Sequence, residues 1–231
     1  MILQIDPVQT FREVSLALYV VLLVIECSIG VYFLNAYRKN KDLYFIGSIG
    51  MFFFFLFAGR IVLIIFDYYL AGLNPTLYPE FFTYYKIGIG LQAIGLGFFL
   101  YVAERVSFRG KDKYVISVGY VICVSLAAIL PDFILSQTFT TVAALFVVFI
   151  PLSFIYITMK GTGPFRTQSL FLASGVIAIT IGSLLTSEFL MGLLSPTFDP
   201  YAVHIISIIL KLVGGILINR EFSLQLRREG E

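Results

Sequence analysis

Seven stretches of mostly apolar residues recur along the chain, at 14–36, 43–71, 84–103, 114–130, 139–159, 169–191 and 202–219. About 20 such residues in a helix cross the hydrocarbon core of a bilayer. Inside lipid each segment must satisfy its own backbone hydrogen bonds, which at this length selects helices over strands. The expectation is an all-α, polytopic bundle of seven transmembrane helices, one integral membrane domain over 1–231 with a short basic cytoplasmic tail at 220–231. Composition agrees: 59% hydrophobic and 13% charged residues leave too little polar surface to coat a water-soluble fold of this length. No cleavage pattern follows the first apolar stretch, which is expected to stay as an anchor.

The connectors orient the bundle. Arg38, Lys39 and Lys41 follow the first stretch, Arg105, Arg109, Lys111 and Lys113 the third, Lys160 and Arg166 the fifth, and Arg220, Arg227 and Arg228 the seventh. The alternate connectors hold only Arg12 and Lys86 beside several acids. Basic residues favour the cytoplasmic side, so the N-terminus is expected outside and the C-terminus in the cytoplasm of a multi-pass cell-membrane protein. A net charge of +2, confined to connectors, excludes a nucleic-acid docking face.

Four polar residues interrupt the apolar runs at a common depth. At about 1.5 Å per residue, Glu26, Arg60, Gln92 and Lys211 each fall roughly 12–18 Å from the outer end of their helix. Charges at that depth are costly and normally face the bundle interior, where they find partners. In a bundle that follows chain order around a ring, the first helix touches both the second and the seventh, so Glu26 is placed to meet Arg60, Lys211 or both. We expect Lys211 to point inward at Glu26; snorkelling of its stem toward the headgroups is the competing reading. Two bases against one acid leave surplus positive charge, suited to an anion or relieved by a lysine that loses its proton.

Lys211 shares a helical face with Ser207 and His204, and Arg60 with Asp67. With Glu188 they outline a vestibule open to the outside, although His204 also suits an interfacial hydrogen bond to a loop. Gly30 and Pro151 weaken their helices and are candidate hinges. Ser174, Ala178, Gly182 and Thr186, and in the third stretch Gly88, Gln92 and Gly95, form small-residue stripes expected to be packing seams. The aromatic run 51–57 is expected to face lipid.

Pro75-Thr76-Leu77-Tyr78-Pro79 and Pro196-Thr197-Phe198-Asp199-Pro200 follow the second and sixth stretches, and the offset between them also sets Gly30 opposite Pro151 and Lys39 opposite Lys160. A parallel repeat of three helices, a linker helix and three helices would produce this; so would ordinary proline chemistry at helix ends. The 3+1+3 layout with an outside N-terminus resembles the SWEET and PQ-loop transporters, in topology rather than motif, and Pro151 is the counterpart of one gating proline. Lys211–Arg220, KLVGGILINR, resembles the last helix of microbial rhodopsins. That resemblance implies retinal bound to Lys211 as a Schiff base with Glu26 as counter-ion. The chain departs from that family in having Ser207 one turn before the lysine, Gln92 without a carboxylate in the third stretch, and no Trp.

No hydrolytic motif, metal-ligand spacing or reactive-cysteine pattern is present, so no catalytic residue, metal site or enzyme activity is expected, a membrane enzyme with Glu26 as its acid or base being the one enzymatic alternative. Cys27 and Cys123 read as small buried hydrophobes. The functional expectation is binding, and transport where helices bend, of a small polar or anionic solute at Glu26, Arg60, Gln92 and Lys211, with no cofactor. The alternatives are a seven-helix receptor acting through a separate cytoplasmic partner, its retinal-binding form included, and a charged layer that is only a structural clamp.

Overall fold

A computed structural model describes residues 7–41, 44–108, 114–186, 194 and 197–229. They form α1 (Pro7–Lys39), α2 (Tyr44–Ile64), α3 (Phe82–Phe108), α4 (Val115–Ile129), α5 (Phe133–Val147), α6 (Phe149–Lys160), α7 (Pro164–Leu185) and α8 (Pro200–Glu229). No strand occurs among the described residues. Among the described residues six helical segments are long and apolar enough to span a bilayer, α5 and α6 together making one, and α4 is a shorter apolar helix. The protein is a multi-pass integral membrane bundle.

Helix ends follow local chemistry. The Asp199 carboxylate accepts from the backbone N–H groups of Tyr201 (2.8 Å) and Ala202 (3.2 Å), and Pro200, whose fixed φ suits the first turn, opens α8. Asp132 caps α5 through Leu135 N at 2.8 Å. Pro200 is therefore a helix-starting residue, whereas Pro79 lies in the turn ahead of α3, so the two proline motifs do different local work. Pro196 lies outside the described residues. Past Ile64 the second helix widens into a π-turn, Ile65–Leu70, and stops where Gly72 and Leu73 both adopt φ of +56°. Glycine enters that left-handed region freely; a leucine there is strained.

At 15 residues α4 is about 22 Å long, short of the roughly 30 Å hydrocarbon layer. Side chains of α3 hold both its ends. The Glu104 carboxylate, buried, accepts from Ile116 N (3.0 Å), Ser117 N (3.0 Å) and Ser117 Oγ (2.6 Å). At the other end Lys86 Nζ donates to the carbonyls of Ala128 and Leu130. An acid at the N-terminus and a base at the C-terminus also oppose the helix dipole. Glu104→Ala is expected to cost about 2 kcal/mol in chemical unfolding, because charge-assisted hydrogen bonds are lost and buried N–H groups stay unpaired.

The helices close a ring: each contacts its chain neighbours and α8 returns to α1, with α3 also meeting α6 across the interior. Glycine crossings set the tightest pairs. A Cβ on Gly59 would lie 2.5 Å from the Gly88 carbonyl oxygen and 2.7 Å from Gln92 Cγ, and one on Gly95 would lie 2.9 Å from the Phe52 carbonyl oxygen. The stripe of Gly88, Gln92 and Gly95 is thus a seam with α2, as expected. The stripe on α7 is displaced: Ser174 is exposed, and the contact with α8 runs through Gly175 and Gly182. Gly30 is likewise a crossing point, its backbone close to Gly50 and Phe54 in an uninterrupted α1. The long apolar segment 133–160 does break, at Val148, just ahead of Pro151, whose ring and missing N–H disrupt the preceding turn.

The aromatic run does not simply face lipid. Phe52, Phe53 and Leu56 are buried in the main core with Phe33, Phe99, Phe154 and Phe222, while Phe54 is exposed. In an apolar solvent, hydrophobicity no longer sorts inside from outside, and packing geometry decides.

Candidate functional site

α1 carries Ser15, Tyr19, Leu22 and Glu26 on one face, all buried, at the spacing that lines up successive turns. Arg60 comes from α2, and Lys211 from α8 with His204 and Ser207 on the turns before it. Because α1 packs between α2 and α8, these faces converge. Glu26, Arg60 and Lys211 are 3%, 4% and 4% exposed.

Glu26 and Arg60 form a bidentate ion pair: Arg60 Nε donates to Oε2 at 2.9 Å and Nη2 to Oε1 at 2.8 Å. The planar fork of the guanidinium matches both carboxylate oxygens. Lys211 does not join them. Its stem lies along α7, where a Cβ on Gly182 would meet Lys211 Cγ at 3.1 Å, and Nζ donates to Thr186 Oγ1 at 3.3 Å. No described carboxylate is within ion-pair distance of this nitrogen. The expected contact of Lys211 with Glu26 is therefore replaced by one with α7, since Arg60 occupies both Glu26 oxygens and the Gly182 crossing steers the stem the other way.

Gln92 packs beside Gly59 at the α2–α3 crossing, half-buried, and no described hydrogen bond joins it to the ion pair. Asp67 is half-buried in the π-turn. Glu188 lies outside the described residues. His204 and Ser207 are buried, His204 sharing a hydrogen bond with Tyr19 OH (Nδ1 to oxygen, 2.9 Å) and Ser207 donating to the Gly182 carbonyl.

Of the residues expected around an open vestibule, His204 and Ser207 are buried, His204 within a packed lid of tyrosines. Tyr68 sets its ring edge-on to Tyr19 (5.7 Å) and His204 (5.8 Å), with Tyr201 5.8 Å away. Tyr68 OH donates to Ser15 Oγ at 2.8 Å, and Arg12 Nη2 to the Tyr68 carbonyl at 3.2 Å. Tyr19, Ser15 and Tyr68 were not anticipated, and Thr186 was expected only as a packing position. The four-residue spacing of Ser15 and Tyr19 and the seven-residue spacing of Tyr19 and Glu26 were a usable signal. The inward turn of Tyr68 was not, because the π-turn changes the helical register that such spacing assumes. Tyr19→Phe is expected to lower stability by about 1–2 kcal/mol, leaving His204 Nδ1 buried without its partner; thermal unfolding in mild detergent measures it.

Fold and site together define a class: a polytopic helical membrane protein with two buried bases beneath an aromatic lid, one paired with a carboxylate and the other, among the described residues, bonded to a hydroxyl. No family model, curated protein or solved structure matches the chain.

Proposed function

We propose that this is a non-enzymatic, seven-span membrane protein, with α4 as the short span, the N-terminus outside and the C-terminus cytoplasmic, that binds a small polar or anionic solute at Lys211. One observation carries the reading: the buried amine of Lys211 has a single hydroxyl partner among the described residues, while the acid at its depth is spent on Arg60. A buried cationic group without a carboxylate is incomplete, and an anionic ligand group completes it. In this reading Thr186 is a second donor, and the Glu26–Arg60 pair braces α1 against α2 and supplies the field. The Tyr19–His204–Tyr68 lid opens for access from outside, and the break ahead of Pro151 bends during translocation. Glycine crossings at both α2–α3 and α7–α8 support the three-one-three plan.

The test uses protein in neutral-lipid nanodiscs and a panel of small carboxylates, inorganic anions and amino acids. At least one is expected to raise the unfolding midpoint of the wild type, and Lys211→Met is expected to weaken that ligand tenfold or more. A ligand whose affinity is unchanged by Lys211→Met defeats the proposal. Flux into vesicles separates a transporter from a receptor. A visible band formed on adding retinal, and absent in Lys211→Ala, would instead make Lys211 the site of a Schiff base.

A further inference from the structure

At the end of the bundle where α1, α3, α6 and α8 finish and α2 and α7 begin, every charged side chain whose exposure is described and high is basic. Four of these side chains are held against rings: Lys41 over Tyr37 (4.5 Å), Arg105 over Tyr44 (4.5 Å), Lys160 over Tyr156 (4.5 Å) and Arg220 over Phe171 (5.3 Å). Exposed Arg38, Lys39 and Arg166 add to the girdle. The two acids here whose side chains are described do not oppose it from the surface: Glu104 is 1% exposed and spent on the backbone of α4, and Glu221 is 9% exposed; Asp42 and Asp112 lie outside the described residues. The opposite end is mixed, with exposed Glu13, Glu80 and Asp132 beside Arg12.

The Arg105 edge is the most organised part. Its guanidinium comes from the last turn of α3 and lies over the Tyr44 ring at the start of α2, joining two helices. Tyr101, a turn earlier on α3, stacks on Tyr114 at 4.7 Å and 26°. Tyr44 and Tyr101 are 41% and 37% exposed. A flat cation fixed on an aromatic ring loses little freedom when its outward N–H fork meets a phosphate, and exposed tyrosines suit the headgroup level.

We propose that this basic end binds anionic phospholipid selectively, with the Arg105–Tyr44 edge between α2 and α3 as its principal seat. The occupant is a lipid rather than a free anion because the bases surround apolar helix ends, where a ligand with both a phosphate and acyl chains satisfies both surfaces. Each basic residue near an anionic surface contributes about a fivefold change in affinity.

Purified protein in mild detergent is titrated with phosphatidylglycerol, phosphatidylcholine or glycerol phosphate while thermal unfolding is followed. Phosphatidylglycerol alone is expected to raise the midpoint saturably. Arg105→Gln should raise the half-saturating mole fraction about fivefold, and Arg12→Gln, at the opposite end, should leave it unchanged. Arg105→Lys tests the seat without changing charge, and is expected to weaken binding because the planar fork is lost. Native mass spectrometry of the unmodified protein should show retained phosphatidylglycerol. An equal shift with phosphatidylcholine, an equal shift with glycerol phosphate, or an Arg105→Gln titration that overlays the wild type overturns the proposal.

Discussion

Glu26→Ala is expected to destabilise the bundle by about 3–5 kcal/mol, the largest effect of any single change considered for this protein. Truncation removes both hydrogen bonds from the guanidinium of Arg60 to its acid, on a residue that is 4% exposed. Lipid offers nothing in exchange, so α2 must shift to bring Arg60 to a polar surface, or water must enter the seam with α1. Unfolding in mild detergent by denaturant or heat measures the loss. The companion experiment separates the pair from the packing: Glu26→Met with Arg60→Met removes both charges at similar volume and is expected to recover most of the stability, since a buried pair and a well-packed apolar pair often differ little. A single Glu26→Ala change costing under about 1 kcal/mol would mean that Arg60 reaches water, which the burial argues against.

Gly214→Leu is expected to cost about 3 kcal/mol, the upper part of the usual range for overpacking. A Cβ at Gly214 would lie 2.5 Å from the Gly175 carbonyl oxygen and 3.1 Å from Ile179 N. Both are backbone atoms of α7, so no rotamer change relieves the clash and the two helices must separate. The same seam positions Lys211, whose stem rests beside Gly182 one crossing further along. Gly214→Leu should therefore also weaken any ligand held by Lys211, while Gly90→Leu, where an added Cβ meets nothing within 4 Å, should leave both stability and binding near the wild-type values. Unfolding and ligand titration on the two variants check the pair of outcomes.

Legibility followed the physics of the solvent. Hydrocarbon demands long apolar helices, so the segments and the burial of Glu26, Arg60 and Lys211 could be read directly from the chain. The stripe of Gly88, Gln92 and Gly95 was readable because small residues at four- and three-residue spacing have one common use, close helix approach. What Lys211 touches was not readable. Glu26 had two basic candidates at one depth, and the choice between them depended on which side of α8 the Gly182 crossing left open. The lid was hidden for a different reason, the local π-turn at Ile65–Leu70, which aims Tyr68 at Ser15 and His204 in a way no uniform helical wheel contains.

By itself, then, the sequence determined that this protein lives in a bilayer as a helical bundle and that three ionisable groups lie at mid-membrane depth, facing the bundle interior. Those facts follow from transfer energies, which depend on residue type and run length. Only the tertiary structure decided the partners: Arg60 for Glu26, Thr186 for Lys211, and Tyr19 for His204. Partner choice turns on shifts of a few ångströms between helices, and those are set by where glycines let backbones meet.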